Sequence, residues 1–309
     1  MKIVCIGFSS LDIIMREIQR RPEGQTSFAQ EISFATGGDA MNEALTLKAL
    51  GHPVTLVTQV GRDMQGDLIR QTCQEAGLPT DFIFRGDFPT AVSVITVQAD
   101  GQRSIVGMEE NTVKNFKPGQ YALDAIDSDT GLVCIGSLYA SQYLGEQELL
   151  QIFQKAKNCG AITAADFIND RKDWTLDTLG QAYSLLDYAI PSIEEAQFYT
   201  GQADPAAAAR KLQEYGVKNV VIKLGSKGVY GNFQGLELEM PCLKCPVVDT
   251  TGAGDNFTAG FLSALVRGLE PEQCLRFATG TAAVSIGQMG AHGAVRSMEQ
   301  VEEFLSRYE

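Results

Sequence analysis

The chain has 309 residues, of which 44% are hydrophobic and 20% are charged, and its formal net charge at pH 7 is −13. This length and composition suffice to bury a large core and favour one domain spanning residues 1–309. The acidic balance excludes a protein that binds nucleic acid through a basic stripe. No stretch approaches the roughly 18 apolar residues of a membrane span, and the apolar N-terminus is too short for a signal peptide, so we expect a soluble cytoplasmic protein without a membrane partner.

Seven cysteines are scattered along the chain, which is typical of a reducing compartment. Only Cys242 and Cys245 have a suggestive spacing. A zinc site would need a second ligand pair nearby, and a redox motif would start a helix. The following residues 246–248 have the pattern of a strand, so we expect these cysteines to be structural.

Short apolar runs alternate with helical patterns along the chain. Runs of strand length occur at residues 2–6, 54–60, 132–136, 161–166, 186–190 and 219–223. Helical patterns occur at residues 39–50, 65–76, 146–158, 254–267, 271–287 and 297–307, and another begins at Asp204-Pro205 and ends before Gly216. Because unbroken apolar strands are buried on both faces, this order predicts a doubly wound α/β fold with a mostly parallel sheet flanked by helices.

Two segments, at about residues 12–35 and 91–110, alternate polar and apolar residues with a period of two instead. The second contains Asp100-Gly101, a dipeptide expected at a tight hairpin turn. We expect the two segments to form a small β lid above the carboxyl edge of the main sheet, where ligands of open α/β sheets bind.

The most informative motif is Asp249-Thr-Thr-Gly-Ala-Gly-Asp-Asn, which precedes an apolar helix pattern. The small residues Gly252, Ala253 and Gly254 let backbone amides converge at a helix N-terminus, which favours a bound anion. Asp255 would repel a resting phosphate, but it suits a base that takes a proton from an attacking hydroxyl. By itself a Gly-x-Gly-Asp turn also fits a simple helix cap.

A second glycine pair precedes the helix pattern at residues 39–50. Gly37 and Gly38 lead into Asp39 and Asn42, which lie three residues apart and therefore on one helix face. Short polar side chains of this kind suit sugar hydroxyls, and Asp12 would join them. Without further context Asp39 also fits a helix N-cap.

A third candidate is the turn Lys223-Leu-Gly-Ser-Lys-Gly after a buried strand. Gly225 and Gly228 allow the backbone to approach a nucleotide, and Lys227 could reach a phosphate. The same residues fit an ordinary hairpin between strands at 219–223 and 229–233.

Together, these motifs resemble the two signatures of the ribokinase-like (PfkB-type) carbohydrate kinases. The N-terminal signature is matched by Gly37-Gly-Asp-Ala-Met-Asn-Glu-Ala and the C-terminal one by Asp249-Thr-Thr-Gly-Ala-Gly-Asp-Asn-Phe. The resemblance covers essentially the whole chain. It implies a ribokinase-like fold and transfer of the γ-phosphoryl group of ATP, with Mg²⁺, to a hydroxyl of a sugar or nucleoside.

The resemblance also implies roles for individual residues. Lys223, Gly225, Lys227 and Gly228 stand where the family contacts ATP, although Lys223 replaces the usual Thr. Ser192 and Glu195 occupy the place of a Pro-Asn-x-x-Glu element linked to Mg²⁺ and phosphate, with Ser192 where Asn is usual.

Further positions follow from the same resemblance. Gly38, Asp39 and Asn42 match positions that line the family's sugar pocket. Asp249 and Thr251, with the loop at residues 285–290, resemble a site for a monovalent cation such as K⁺.

We therefore expect an ATP-dependent kinase of a neutral monosaccharide, with Asp255 as general base. One rival is an acidic-sugar kinase, for which Arg103 or Arg171 would bind the substrate carboxylate. Arg171 follows an Asp166-containing run that resembles an Asp-x-Asn-x-Arg element. Other rivals are a nucleoside kinase and a catalytically silent sugar-binding homologue. A homodimer formed through the β lid is the expected assembly.

Overall fold

A computed structural model describes residues 1–19, 21–98, 103–169 and 173–308. The strands in this part of the chain are β1 (Lys2–Gly7), β2 (Ser10–Arg16), β3 (Glu31–Gly37), β4 (Val54–Val60), β5 (Ile83–Arg85), β6 (Ala91–Val97), β7 (Arg103–Gly107), β8 (Thr130–Leu138), β9 (Ile162–Phe167), β10 (Tyr188–Ala189), β11 (Asn219–Lys223), β12 (Val229–Phe233) and β13 (Leu236–Met240). The helices are α1 (Asp39–Ala49), α2 (Met64–Glu75), α3 (Gly119–Ala125), α4 (Glu146–Asn158), α5 (Leu176–Leu179), α6 (Ile193–Thr200), α7 (Pro205–Glu214), α8 (Ala253–Val266), α9 (Pro271–Ser285) and α10 (Met298–Leu305).

The main sheet has the strand order β13-β12-β11-β10-β9-β8-β1-β4-β5 within the described residues. Neighbouring strands from β11 to β5 run parallel, whereas β12 and β13 are antiparallel additions at one edge. The chain starts in the middle at β1, builds outward to β4 and β5, and then returns to build β8 to β11 on the other side. This reversal next to β1 creates the crevice in which open α/β sheets bind ligands. The predicted doubly wound fold is confirmed.

Helices cover both faces of this sheet, so its central strands β1, β4, β8 and β9 are buried at nearly every position. Ile3 and Cys5 of β1 pack in the layer that contains α1, α8 and α9, while Val4 and Ile6 pack in the layer that contains α4 and α7. Successive strand residues point to opposite faces, so one short run serves both cores. Within the described chain, no helix combines the length and apolar composition needed to cross a membrane.

A second sheet with the order β3-β2-β6-β7 contains strands from both segments that were predicted to form the β lid, and we keep that name for this sheet. Directly paired residues share a face, and one face carries the apolar row Phe34, Ile13, Val94 and Val106. The opposite face carries Asp12. The predicted Asp100-Gly101 turn lies outside the described residues.

Helix α7 starts and ends as predicted. The Asp204 carboxylate accepts a hydrogen bond from the Ala207 amide at 2.8 Å, Pro205 occupies the first turn, and Gly216 follows the helix with φ +108°. The strand β10 has only two residues and is therefore shorter than the strand predicted at 186–190.

The prediction of a strand at residues 246–248 is wrong, because this segment is neither helix nor strand. Pro246 has no amide hydrogen to give to a ladder. Val247 and Val248 are more than half exposed, and the Val248 amide donates to the Ile286 carbonyl at 2.8 Å instead. The segment thus joins the loop after α9.

Glu43 is an unusual member of the core. It lies on α1, is fully buried, and neither carboxyl oxygen has a hydrogen-bond partner in the structure. Burial, followed by the charges of Asp166 and Asp255, raises the pKa of Glu43 well above its usual value. The folded protein therefore favours the neutral form of this carboxyl group more than water does.

We expect Glu43→Gln to make the free energy of unfolding less dependent on pH. In the wild type the folded state holds a proton that the unfolded state releases near pH 4.5. Stability from this group is therefore present at low pH and is lost as pH rises above that point, by up to about 1.4 kcal/mol per pH unit. Urea unfolding of both proteins at acidic and basic pH measures the difference. Identical pH dependence in both would contradict the assignment, and Glu148→Gln, at an exposed position, is the control.

Candidate active site

The functional candidates meet where the parallel strands end. Asp166 lies near the end of β9 and Lys223 ends β11, while α1 and α8 begin at Asp39 and Ala253 above the same edge. Polar residues from distant parts of the sequence therefore line one cavity of about 330 Å³, as expected at the carboxyl ends of parallel strands. Its walls include Asp39, Asp166, Glu195, Lys223, Gly254 and Asp255.

Asp255 lies in the first turn of α8, where its carboxylate accepts a hydrogen bond from the Asn42 side-chain amide at 2.6 Å. Burial raises the pKa of Asp255, and the Asn42 hydrogen bond opposes this shift. The carboxyl group is thus held in a fixed orientation in a largely dehydrated place. Such a group can accept a proton from a hydroxyl that reaches it.

The turn before Asp255 depends on glycine at its first position. Gly252 is the N-cap of α8 with φ +70°, and a Cβ there would lie 2.5 Å from the Ala291 carbonyl oxygen. The Ala253 amide donates to the Thr250 carbonyl at 3.2 Å, so this predicted anion-binding amide is engaged in the turn. The amides of the following first-turn residues have no acceptor within the helix and point out of its N-terminus.

Helix α1 contributes the other predicted polar pair. The alternative that Asp39 caps this helix is wrong, since the N-cap is Gly38 with φ +99°. The Asp39 carboxylate instead accepts a hydrogen bond from the Ser137 hydroxyl, and burial raises the pKa of Asp39 well above its usual value. Asn42 has a buried side-chain oxygen without a hydrogen-bond partner in the structure, which can accept a bond from a hydroxyl.

Asp12 reaches toward this region from the inner face of the β lid. Burial raises the pKa of Asp12 to about 6, hydrogen bonds from Ser10 and Ser93 lower it, and the nearby Asp255 charge raises it further. The effect of Asp255 indicates that the lid carboxyl group and the catalytic candidate belong to one electrostatic site.

Lys223 forms a buried ion pair with Asp166. Its ammonium group donates to the two carboxylate oxygens at 2.7 and 2.6 Å. Burial alone would lower the pKa of Lys223, but the adjacent Asp166 and Glu195 carboxylates hold it above its usual value. Lys223 is therefore a permanent cation in an otherwise acidic site.

Ser192 and Glu195 form a reciprocal cap at the start of α6. The Ser192 amide donates to the Glu195 carboxylate at 2.7 Å, and the Glu195 amide donates to the Ser192 hydroxyl at 3.2 Å. Burial raises the pKa of Glu195 to about 7, although the Lys223 charge opposes this. Glu195 thus has a structural bond through one carboxylate oxygen while lining the polar cavity.

A second, mainly apolar cavity of about 390 Å³ lies next to the first. Lys223, Gly225 and Gly254 line both cavities. Gly228 also lines the apolar cavity, together with Leu243, Phe257, Ala282, Ala283 and Ile286. The expected hairpin is present as well, with Gly225–Lys227 forming the turn between β11 and β12. Lys227 is exposed and is not among the residues that line either cavity.

Cys242 and Cys245 line the apolar cavity too, and all seven cysteines are free thiols. Asp249 lies close by, on the approach to α8. Its carboxylate accepts hydrogen bonds from the Thr251 amide at 3.0 Å, the Thr251 hydroxyl at 2.7 Å and the Gly290 amide at 3.1 Å. These bonds join the turn before α8 to the loop after α9.

Two predicted substrate residues have no described side chain. Arg171 lies outside the described residues, and Arg103 lies on β7 with its side chain outside the described part. In contrast, several site residues were not predicted from sequence. Ser137, Thr258 and the pairing of Asp166 with Lys223 are visible only in three dimensions, because their partners are 57 to 98 residues away in the chain.

The sequence model for the pfkB family of carbohydrate kinases matches residues 1–297. The chain belongs to this family. Members of the pfkB family are ATP-dependent carbohydrate kinases, which confirms the expected family and enzyme class.

Individual relatives agree with this assignment. The chain is 30% identical to a ribokinase of Arabidopsis thaliana over 98% of this chain and 80% of the relative. It is 28% identical to a ribokinase of Bacillus subtilis over 99% and 100% of the two chains. Its fold matches the structure of Arabidopsis thaliana ribokinase complexed with ribose and ATP, with a TM-score of 0.86, 27% identity and 98% coverage of both chains.

Proposed function

We propose that this pfkB family member transfers the γ-phosphoryl group of ATP to a hydroxyl of a neutral monosaccharide. The observation that carries this proposal is the adjacency of a polar cavity containing Asp255 and a mainly apolar cavity, with Lys223 and Gly254 lining both. A sugar would lie at the end of the polar cavity that faces α1 and the β lid, the adenine base would occupy the apolar cavity, and the phosphates would lie between them. The related Arabidopsis ribokinase was solved with ribose and ATP, which supports a site that takes both a sugar and ATP.

In the proposed reaction the sugar hydroxyl oxygen attacks the γ-phosphorus of ATP. Asp255 takes the hydroxyl proton while the bond to the β-phosphate oxygen breaks, so the products are a phosphosugar and ADP. The Asn42 amide keeps the Asp255 carboxylate oriented. The N-terminus of α8, built by Gly252, Ala253 and Gly254, would stabilise negative charge on the transferring group.

The sugar would lie between α1 and the β lid. Asp12, Asp39 and the unpartnered Asn42 side-chain oxygen would accept hydrogen bonds from the sugar, and Gly38 lets the chain turn beside Phe8 and Ser9. Carboxyl groups of this kind can bind sugar hydroxyls, and they repel an anionic substrate when they are ionised. This favours a neutral sugar over a sugar acid.

Mg²⁺ fits the acidic donor set of the polar cavity. Glu195 would supply an oxygen donor there, and Ser192 holds Glu195 in place. No three metal-binding side chains converge among the described residues, which suits an ion held largely by phosphates and water. When bound with ATP, Mg²⁺ would neutralise part of the phosphate charge.

A monovalent cation such as K⁺ would bind near Asp249 and Thr251. A buried carboxylate beside turn carbonyls offers the hard oxygen donors that such an ion prefers. Binding there would stabilise the turn that leads into the N-terminus of α8.

Asp255→Asn should lower turnover by roughly 10²–10⁴ while ATP binding persists, because the amide cannot accept the proton but has the same shape. ADP release in the presence of sugar, together with calorimetry of ATP binding, measures both effects. Asp81→Asn, at an exposed position remote from the cavity, is the control. A variant with wild-type turnover would remove Asp255 from the mechanism.

In a panel of neutral sugars, sugar acids and nucleosides, we expect the fastest ADP release with neutral monosaccharides. Preference for a sugar acid would instead support the rival in which Arg103 or Arg171 binds a carboxylate. Preference for a nucleoside would support the nucleoside kinase. Sugar binding without ADP release from any compound would indicate a silent sugar-binding homologue.

We also propose a homodimer formed through the outer face of the β lid. This face presents the row Phe34, Ile13, Val94 and Val106, in which Phe34 and Val106 are each 64% exposed. An apolar sheet face of this kind is stabilised when a second copy covers it.

Phe34→Glu should convert the dimer to a monomer in light-scattering chromatography, because it introduces a charge into the exposed apolar row. Leu236→Glu is the matched control, since Leu236 is an exposed apolar residue on the edge strand β13 of the other sheet. A monomeric wild-type protein would rule out this assembly.

A further inference from the structure

The ion pair between Lys223 and Asp166 is deeply buried. The Lys223 side chain is 14% exposed and that of Asp166 is 3% exposed. Both Asp166 oxygens bind the ammonium group, and Oδ2 also accepts a hydrogen bond from the Thr258 hydroxyl at 2.8 Å. The Phe167 amide donates to Oδ1 at 2.7 Å. Asp166 is therefore held rigidly by β9, β11 and α8.

The position of the ammonium group relates this pair to the reaction. Lys223 lines both the polar and the apolar cavity, and a Cβ built on Gly254 would lie 3.6 Å from Lys223 Nζ. No side chain at position 254 therefore separates the ammonium group from the N-terminus of α8. The proposed path of the phosphoryl group, from the nucleotide to Asp255, passes this point.

The charges around the pair are strongly unbalanced. Asp39, Glu43, Glu195 and Asp255 all feel the Lys223 charge, which opposes the rise in the pKa of each carboxyl group. Phosphates entering such a site would be repelled by any ionised carboxylate. A fixed cation at the boundary between the cavities offsets that repulsion.

We propose that Lys223 binds the transferring phosphoryl group and that Asp166 is the positioning residue that aims its ammonium group at the boundary between the cavities. The inference rests on the proposed kinase function. An ammonium group has three N–H donors. Two of them donate to Asp166. The third can donate to a phosphoryl oxygen while the group is transferred from ATP to the sugar.

The competing explanation is that the pair only stabilises the fold by joining β9, β11 and α8. The two explanations differ for a double variant. Removing one partner of a buried ion pair leaves an uncompensated charge, whereas replacing both with neutral groups removes that penalty. A purely structural pair can therefore be replaced without loss of turnover, and a phosphate-binding lysine cannot.

The first experiment compares Asp166→Asn, Lys223→Met and the double variant Asp166→Asn/Lys223→Met with the wild type. We expect both single variants to melt at lower temperature and the double variant to recover most of the loss. Turnover of the double variant should stay roughly 10²–10³-fold below wild type, the usual effect of removing one group that stabilises transition-state charge. A double variant that folds and has wild-type turnover would overturn the proposal.

The second experiment follows the pH dependence of kcat/KM for ATP in Asp166→Asn. Without the Asp166 charge, burial lowers the pKa of Lys223, so the ammonium group is lost at lower pH. We expect about 10–100-fold lower turnover and a decline at basic pH that begins earlier than in the wild type. The decline should be missing from Lys223→Met. An unchanged basic limb in a folded Asp166→Asn protein would show that Asp166 does not act through Lys223.

Asp187→Asn is the matched control. Asp187 pairs with Lys157 and with Lys218, the latter at 2.8 Å. These pairs lie at the starts of β9 and β11, whereas Asp166 and Lys223 lie at the ends of the same strands. Its loss should lower the melting temperature without changing the pH profile. These experiments also distinguish a failure of this inference from a failure of the proposed kinase function. If Asp255→Asn is inactive but the double variant is active, only the role of the pair is wrong, whereas a wild type inactive on every sugar would refute the kinase function itself.

Discussion

The contact between the first turns of α1 and α8 determines where the site can form. Both helices begin above the ends of central strands, and the approach of α1 requires glycine beneath it: a Cβ on Gly136 would lie 2.7 Å from the Ala40 amide nitrogen. Two side-chain bonds then join the helices, from Asn42 to Asp255 at 2.6 Å and from Thr46 to Asn256 at 2.9 Å. Because these bonds fix the two helices together, the polar residues of one signature are presented to the catalytic candidate of the other.

This junction also concentrates negative charge. Carboxyl groups from α1, α6, α8 and β9 surround one polar cavity, and burial raises the pKa of Asp39, Glu195 and Asp255. A site of this kind is stable only if protons or cations compensate the carboxylates. Lys223 supplies one such cation within the chain, and ATP-bound Mg²⁺ would supply more. A bound phosphate would therefore change the balance of charge in this cavity.

The β lid connects to the same centre from above. Thr36 at the end of β3 is joined to His292 through bonds of 3.0 Å to its hydroxyl and carbonyl oxygens. The loop that carries His292 also accepts a bond from the Asn256 amide through Ala291, at 2.8 Å, and donates one to Asp249 through Gly290. Lid, loop and helix α8 thus form a continuous hydrogen-bonded path. This path connects β3 to the turn that contains Gly252.

By itself the sequence determined the fold class, the family and the two signature motifs, because apolar periodicity and glycine-rich turns are local properties of the chain. It also predicted that Asp39 and Asn42 share a helix face and that Asp204 caps α7. It failed at residues 246–248, where two valines suggested a strand but no partner strand was available. Only the tertiary structure decided that Asp39 bonds to Ser137, that Lys223 pairs with Asp166, and that Glu43 is buried without a partner. These contacts depend on which strand ends become neighbours in the sheet. Local sequence patterns do not determine that strand order.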